Sequence, residues 1–106
     1  MSHEALSPQQ FPRTGEVEER HVRAHINRYA PGEYYLSNLS VKPEERGKGI
    51  GTRFMKSVVK EHDVAGTRLS LHIGAKRKDL KRWYGSLGFE PTGEDPFGVR
   101  MTRQPR

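Results

Sequence analysis

The chain has 106 residues, of which 32% are hydrophobic and 30% charged, and its formal net charge is +6. This length allows one domain, and the absence of cysteine excludes disulfides and thiolate metal sites. No apolar run approaches the length of a membrane span, and the N-terminus has no apolar signal-peptide core, so we expect a cytoplasmic protein without membrane association.

The first residues show little periodicity. Residues 1–16 contain two prolines, two glutamines and a glycine, which predicts a flexible N-terminal arm. Regular patterning begins shortly after this stretch. We therefore expect a single domain over residues 17–106.

Two segments then follow the pattern of β-strands. Val22, Ala24 and Ile26 alternate with polar residues, which predicts a half-buried strand. Pro31-Gly32 marks a turn, and a second strand-like segment, Tyr34 to Val41, follows at once. We expect the two strands to form an antiparallel hairpin.

The apolar residues of the second strand are unevenly spaced. Leu36 and Leu39 are three residues apart, so strict alternation would place them on opposite faces of the sheet. Either both faces are covered, or a β-bulge near Ser37-Asn38 shifts the register. We favour the bulge, which would separate this strand from its neighbour and open a slot in the sheet.

The remaining segments alternate between helix and strand patterns. A helix with one apolar stripe is predicted from Ile50 to Glu61, a strand from Arg68 to Ile73, and a second helix that ends at Gly88. A short strand from Phe89 and one around Val99 to Thr102 complete the chain. The predicted order is β-β-α-β-α-β-β, an α/β (α+β) fold whose mixed, mostly antiparallel sheet has one parallel pair around the first helix.

A glycine-rich turn, Arg46-Gly47-Lys48-Gly49-Ile50-Gly51, connects the second strand to the first helix. Glycines let the backbone approach a ligand closely. The first amides of a helix have no partner within it and lie at the positive end of its dipole. With two basic side chains beside them, these amides predict a site for a phosphate or pyrophosphate. The structural alternative is a tight connection without a ligand.

The sequence from Leu39 to Gly51 resembles motif A of the GNAT superfamily of acetyl-CoA-dependent N-acyltransferases, which has the form Q/R-x-x-G-x-G/A after a strand that ends in L-x-V-x-P. Arg46, Gly49 and Gly51 occupy its three defining positions. The segment from Trp83 to Phe89 is similar to motif B, where a helix that carries a tyrosine ends in L-G-F. A glycine pattern alone is weak evidence, but these two motifs occur in order, at a spacing that fits one helix and one strand.

The resemblance implies a GNAT-like fold, in which the central parallel strands splay apart at the bulge, and an N-acetyltransferase that uses acetyl-CoA as acyl donor. The turn would hold the pyrophosphate, and the strand around Leu39 and Val41 would pair with the pantetheine. A primary amine, such as a protein lysine or an N-terminal amine, would attack the acetyl group directly, and Tyr84 would protonate the departing thiolate. The implied cofactor-binding residues are Leu39, Val41, Arg46, Gly47, Lys48, Gly49, Ile50, Gly51 and Thr52. Tyr84 is the implied catalytic residue, and its structural alternative is a packed aromatic side chain.

Three features depart from the family pattern. Arg77 stands where family members usually carry an asparagine, seven residues before the tyrosine. The candidates for a general base are Glu33, Ser37, His25 and His72, and none of them stands out. The family's usual N-terminal strand and helix pair, which form one wall of the acceptor site, have no room, so we expect an abbreviated acceptor site that is open or is completed by a second subunit in a homodimer.

The sequence also allows other functions and sites. The main alternative is a non-catalytic module that binds CoA, or an inhibitory partner with a GNAT-like shape. Nucleic acid is not an expected partner, because the sequence has no recognisable stacking platform or recognition helix. No metal site is predicted, because the histidines lack paired metal-ligand spacing. We interpret Trp83 as a core residue and the basic residues from Lys76 to Arg82 as a solvated helix face.

Overall fold

The computed structural model of the protein describes residues 11–45 and 47–106. Its elements, in chain order, are β1 (Gly15–Glu19), β2 (Val22–Ala30), β3 (Glu33–Val41), a 3-10 turn (Pro43–Glu45), α1 (Ile50–Ala65), β4 (Arg68–Ile73), α2 (Lys78–Ser86), β5 (Glu90–Asp95) and β6 (Gly98–Arg103). Strands and helices alternate around the middle of the chain, and the predicted mixed α/β fold is confirmed.

The six strands form one sheet, in the order β1-β2-β3-β4-β6-β5. Neighbouring strands are antiparallel except β3 and β4, which are parallel and are connected through α1. The predicted hairpin of β2 with β3 and the predicted parallel pair are therefore confirmed.

The predicted order of elements was wrong in one respect, because it lacked β1. This strand has a single apolar residue, Val17, so its sequence shows no alternation. It forms because its backbone pairs with β2, from Gly15↔Ile26 to Glu19↔Val22, while Val17 is buried in the core.

The predicted N-terminal arm, residues 1–16, lies mostly outside the described residues. Within residues 11–16, Arg13 contacts α1 and β1. Its side chain donates hydrogen bonds to Glu61 over 2.7 Å and to Glu19 over 2.8 Å, and its backbone N–H donates to Glu61 over 3.0 Å. These bonds attach the chain just before β1 to the helix that covers the sheet.

A β-bulge interrupts β3 at Asn38, which has a φ of 57°. The register passes from Arg23↔Ser40 to His25↔Ser37, so two residues of β3 lie opposite one residue of β2. The bulge brings Leu36 and Leu39 to the same side, where Leu36 is buried and Leu39 packs against the core. The predicted bulge near Ser37-Asn38 is confirmed, and it explains the uneven spacing of the two leucines.

The parallel pair β3–β4 is short. Its pairing runs from Glu33↔Arg68 to Tyr35↔Ser70 and then ends, although β3 continues to Val41 and β4 to Ile73. The two strands therefore separate beyond Tyr35 and Ser70, and we call this point the fork. The predicted slot in the sheet lies beyond the fork.

The hydrophobic core lies between one face of the sheet and the two helices. The predicted apolar stripe of α1 is confirmed, since Phe54, Met55, Val58 and Val59 are buried. The sheet contributes alternate residues, such as Leu69 and Leu71 of β4, and α2 contributes Tyr84. None of the helices in the described residues combines the length and the apolar character that a membrane span needs.

The opposite face of the sheet is polar, and no helix within residues 11–45 and 47–106 covers it. We call it the open face. Its half-buried or exposed side chains include Arg23, His25, Asn27 and Tyr29 of β2, Tyr35 of β3, His72 of β4 and Arg100 of β6.

His62 makes the stability of the fold depend on pH. Its side chain is 1% exposed, its Nδ1 lies 2.7 Å from Thr67 Oγ1, and its Nε2 has no partner. Burial lowers the pKa of His62 to about 4. In the unfolded protein the His62 side chain is therefore protonated near pH 6.5, whereas in the folded protein it stays neutral down to about pH 4. Its full contribution to the free energy of unfolding is present above pH 6.5, and this contribution is lost as the pH falls towards 4.

We expect the free energy of unfolding to fall by up to about 3 kcal/mol between pH 6.5 and pH 4 because of this histidine. Urea unfolding across this range measures the loss. His62→Gln should flatten the pH dependence, whereas His21→Gln, at an exposed histidine, should leave it unchanged. An equal slope in wild type and His62→Gln would contradict the assignment.

Candidate acyl-donor site at the start of the first helix

The glycine-rich turn forms the N-terminus of α1. Gly47 and Gly49 have φ values of 82° and 77°, in the left-handed region that glycine tolerates best. Gly49 is the N-cap residue, and no side chain caps the helix there. The first amides of α1, from Ile50 onward, are thus at the positive end of the helix with no capping side chain.

The charges around this turn are mixed. No acidic residue lies in the first turn of α1, but Glu45 precedes it, and Lys48 Nζ lies 3.6 Å from Glu45 Oε1. Lys48 is exposed and is held beside the turn by this ion pair. Arg46, the first residue of the predicted motif, lies outside the described residues.

A cavity of about 310 Å³ opens at the turn. It is lined by Val41, Glu45, Gly47, Gly49, Ile50, Gly51, Thr52 and Trp83. The structure thus brings together most of the predicted cofactor-binding residues. Leu39 lies nearer the fork, on the bulged part of β3, and packs against the core. Lys48 stands at the exposed rim of the turn.

Gly51 lets α1 approach β3 closely. A Cβ at this position would lie 3.4 Å from Val41 Cγ2, so the glycine is in contact distance of the strand. The start of the helix and the end of β3 therefore form two adjacent walls of the cavity.

Two lining residues, Glu45 and Trp83, were not predicted. Trp83 packs against the core, as predicted, but its indole N–H also donates a hydrogen bond to Thr52 Oγ1 over 2.9 Å. This bond joins α2 to the first turn of α1. In the sequence, Trp83 is marked by its position directly before the motif tyrosine, Tyr84. Glu45 is marked only by its proximity to the glycine turn.

Tyr84, the predicted catalytic residue, is the buried residue of α2. Its ring packs against Trp83, with the ring centroids 4.7 Å apart, and against Phe89 at 5.6 Å. Burial raises the pKa of Tyr84 to about 12, so its hydroxyl keeps its proton at neutral pH. Among the described residues, the one buried side-chain polar atom without a partner is His62 Nε2. Within residues 11–45 and 47–106, no residue hydrogen-bonds the Tyr84 hydroxyl.

Arg77, at the position of the family's usual asparagine, is the N-cap residue of α2. Its guanidinium makes two hydrogen bonds to the Asp79 carboxylate, of 3.0 and 2.8 Å. Arg77 is exposed and already paired, so its side chain lies outside the cavity at the turn.

The four candidate bases lie in different environments. Glu33 forms an ion pair with Arg68 over 2.9 Å, and His25 lies 4.0 Å from Glu16. Ser37 is half-buried on β3. His72 is the one candidate with both ring nitrogens engaged, by Tyr35 and by Asp95.

A family model of the GNAT acetyltransferase domain matches residues 15–91 of the chain, which is well over half of its length. The chain belongs to the GNAT acetyltransferase family. The predicted resemblance to the GNAT superfamily is thereby confirmed, as is the predicted mixed sheet with one parallel strand pair. Comparison with curated protein sequences gave no significant match.

Solved GNAT structures share the fold at low sequence identity. The ribosomal-protein-S18-alanine N-acetyltransferase from Escherichia coli has a TM-score of 0.69 at 21% identity, covering 79% of this chain and 61% of that one. The PaiA N-acetyltransferase from Thermoplasma acidophilum, solved in complex with coenzyme A, has a TM-score of 0.67 at 20% identity, covering 78% and 52%. A GNAT-family acetyltransferase from Staphylococcus aureus Mu50 has 0.67 at 14% identity, covering 81% and 60%. The chain thus spans about half to six-tenths of the length of these structures.

The bond between Trp83 and Thr52 is expected to stabilise this GNAT domain. Thr52→Val keeps the side-chain shape but removes the acceptor of a partly buried indole N–H, so we expect a loss of about 1 kcal/mol in the free energy of unfolding. Thr52→Ser keeps the hydroxyl and should cost less. Urea unfolding, followed by the fluorescence of the single tryptophan, measures both, and equal stability of wild type and Thr52→Val would contradict the role of the bond.

Proposed function

We propose that the protein transfers an acetyl group from acetyl-CoA to a primary amine. The observation that carries the proposal is that the uncapped N-terminus of α1, the cavity at the glycine turn and the Trp83–Tyr84 pair of α2 adjoin one another in a chain of the GNAT family. Each feature corresponds to one part of the donor: its diphosphate, its pantetheine arm and its leaving thiolate.

The pyrophosphate would bind at the amides of the turn. These N–H groups lie at the positive end of α1 and have no side-chain cap, and Gly47 and Gly49 leave open space around them. An anion here would gain both hydrogen bonds and the helix dipole. Lys48 would add a positive charge at the rim, and the carboxylate of Glu45 would oppose it.

The pantetheine would run from the cavity, past Val41 and Leu39, towards the fork. The separation of β3 from β4 beyond Tyr35 and Ser70 supplies the opening that such an extended chain needs. The thioester would then lie near the bulge at Asn38. A backbone N–H near the bulge would stabilise the oxyanion that develops as the amine attacks.

Tyr84 would serve as the general acid. Its raised pKa keeps a proton on the hydroxyl, which can be donated to the thiolate as the carbon–sulfur bond breaks. Direct attack needs no covalent enzyme intermediate, so positioning supplies much of the rate, up to about 7–11 kcal/mol in the best intramolecular models.

The acceptor would be a protein lysine, an N-terminal amine or a small amine. The open face gives an amine a route to the fork from the side opposite the helices. A cytoplasmic location, and a homodimer that would complete the acceptor site, stay predictions of the sequence.

Binding of CoA tests the donor site. We expect calorimetry at moderate salt to detect binding to the wild-type protein, and Gly49→Glu to weaken it at least tenfold because a carboxylate would stand among the amides that hold the anion. Gly66→Glu is the matched control, since Gly66 caps the other end of α1 with a φ of 72° and open space around it. Equal CoA affinity in wild type and Gly49→Glu would contradict the proposed site.

Tyr84→Phe tests the chemistry. We expect kcat with acetyl-CoA and an amine to fall about 100-fold, in line with the loss of a general acid, while CoA affinity stays unchanged. Tyr34→Phe is the control, because Tyr34 is also buried but lies on β3 beside His62. CoA binding without release of free thiol for any amine would favour a non-catalytic CoA-binding module.

A further inference from the structure

A hydrogen-bonded chain of three side chains crosses the open face. The Tyr35 hydroxyl lies 2.6 Å from His72 Nδ1, and His72 Nε2 lies 2.8 Å from Asp95 Oδ2. Tyr35 belongs to β3, His72 to β4 and Asp95 to the end of β5. These two hydrogen bonds therefore connect both sides of the fork to the hairpin of β5 and β6.

The carboxylate of Asp95 determines which atoms donate and which accept in these hydrogen bonds. The hydrogen bond from His72 lowers the pKa of Asp95, so this carboxylate is ionised at neutral pH and can only accept. His72 Nε2 therefore carries a proton and donates it to Asp95, which leaves Nδ1 to accept from the Tyr35 hydroxyl. The phenol oxygen of Tyr35 keeps lone pairs that can accept a further proton.

Tyr35 stands at the fork itself. It is the last residue of β3 that pairs with β4, and the strands separate directly beyond it. A group that reaches the fork from the open face therefore meets Tyr35, with His72 behind it. Burial raises the pKa of Tyr35, so its hydroxyl is protonated and acts as a link rather than as a phenolate base.

A cavity of about 200 Å³ lies beside this chain and is lined by Asn27, Tyr29, Tyr35 and Arg100. Arg100 is the cross-strand neighbour of His72, and such neighbours have Cα atoms roughly 5 Å apart. Its guanidinium donates one hydrogen bond, of 2.8 Å, to the Tyr29 hydroxyl. No carboxylate within the described residues forms an ion pair with it. A planar guanidinium with free donors suits a carboxylate or a phosphate.

We propose that this part of the open face is the acceptor site: Tyr35, His72 and Asp95 carry away the proton of the attacking amine, and Arg100 selects an amine that also bears an anionic group a few bonds from its nitrogen. The inference rests on the proposed acetyl transfer and specifies its acceptor. Arg100 and Tyr35 line the same cavity, so one molecule contacts both.

The proton transfer balances. The amine nitrogen forms a bond to the thioester carbon while the carbonyl electron pair moves to oxygen. The nitrogen then gives a proton to the Tyr35 oxygen as the Tyr35 proton moves to His72 Nδ1, and Asp95 stabilises the imidazolium. The electron pair on oxygen then re-forms the carbonyl as the carbon–sulfur bond breaks, and the pair of that bond leaves on sulfur, which takes a proton from Tyr84. Solvent removes one proton from His72 and returns one to Tyr84.

Variants of Tyr35, His72 and Asp95 test the proton path. We expect Tyr35→Phe and His72→Ala to lower kcat about 100-fold and Asp95→Asn at least tenfold, with CoA affinity unchanged. Added imidazole should partly restore His72→Ala, because a diffusing base can take the proton, whereas it would not repair a merely structural loss. His21→Ala, at an exposed histidine just before β2, is the control. Unchanged kcat in His72→Ala, or a loss that imidazole does not restore, would overturn the proton path.

Three amines of similar size test the class of acceptor: propylamine, β-alanine and O-phosphoethanolamine. We expect kcat/KM for at least one of the two anionic amines to exceed that for propylamine at least tenfold. A preference for β-alanine would assign a carboxylate, and a preference for O-phosphoethanolamine a phosphate. The advantage should disappear in Arg100→Gln and persist in Arg68→Gln, since Arg68 lies on the same face but is already paired with Glu33.

The outcomes separate this inference from the proposed function. If the wild-type protein binds CoA and acetylates propylamine as well as β-alanine and O-phosphoethanolamine, the anionic acceptor is wrong and the acetyltransferase stands. If Arg100→Gln keeps the full preference, the role of Arg100 is wrong. If the wild-type protein neither binds CoA nor acetylates any of the three amines, the proposed function fails and this inference fails with it.

Discussion

One extra residue in β3 sets the register of this central strand against β2. The bulge at Asn38 requires a left-handed backbone, which asparagine tolerates better than most side chains. It shifts the register against β2, so that Leu39 and Val41 face the same core as Leu36. Pairing with β4 has already ended at the fork. The sheet therefore stays continuous on one side of β3 and opens on the other.

The two faces of the sheet differ in character because both helices pack on the same one. That face holds the core, and it also holds the glycine turn and the Trp83–Thr52 bond. The last strand is attached there too, because buried Arg103 donates two hydrogen bonds to Asp63 of α1 and one to the Leu87 carbonyl after α2. The proposed donor site is thus built against the folding core, and the proposed acceptor site is a polar surface on the other face of the sheet.

The sequence predicts most of this fold, because α1, β3 and β4 carry strong periodic patterns and glycine boundaries. β1 was not predicted, because a segment with one apolar residue in five shows no alternation of apolar and polar residues. The strand forms because its backbone pairs with β2. The bulge was predictable because Leu36 and Leu39 break the period of two. The glycine turn was predictable because its residues are contiguous.

The chain of Tyr35, His72 and Asp95 could not be predicted in the same way. Its members are far apart in the sequence, and they meet only through the parallel register of β3 with β4 and the return of the β5–β6 hairpin. The sequence does not distinguish His72 from the other three candidate bases, because its partners Tyr35 and Asp95 are set by the fold. The role proposed for Arg100 likewise depends on its cross-strand position beside His72 and on the absence of an acidic partner among the described residues. Neither can be read from the sequence. Side-chain networks across strands depend on register, which composition and spacing do not encode.

The bare polar surface has an evolutionary consequence. Substitutions of exposed side chains that lie outside the core usually change stability by no more than about 0.5 kcal/mol. An exposed position such as Asn27 can therefore vary with little thermodynamic penalty, whereas Gly47 and Gly49 are constrained by their left-handed backbone and Gly51 by its contact with Val41. On a small scaffold of this kind, the proposed acceptor surface can diverge in sequence while the proposed donor site stays fixed.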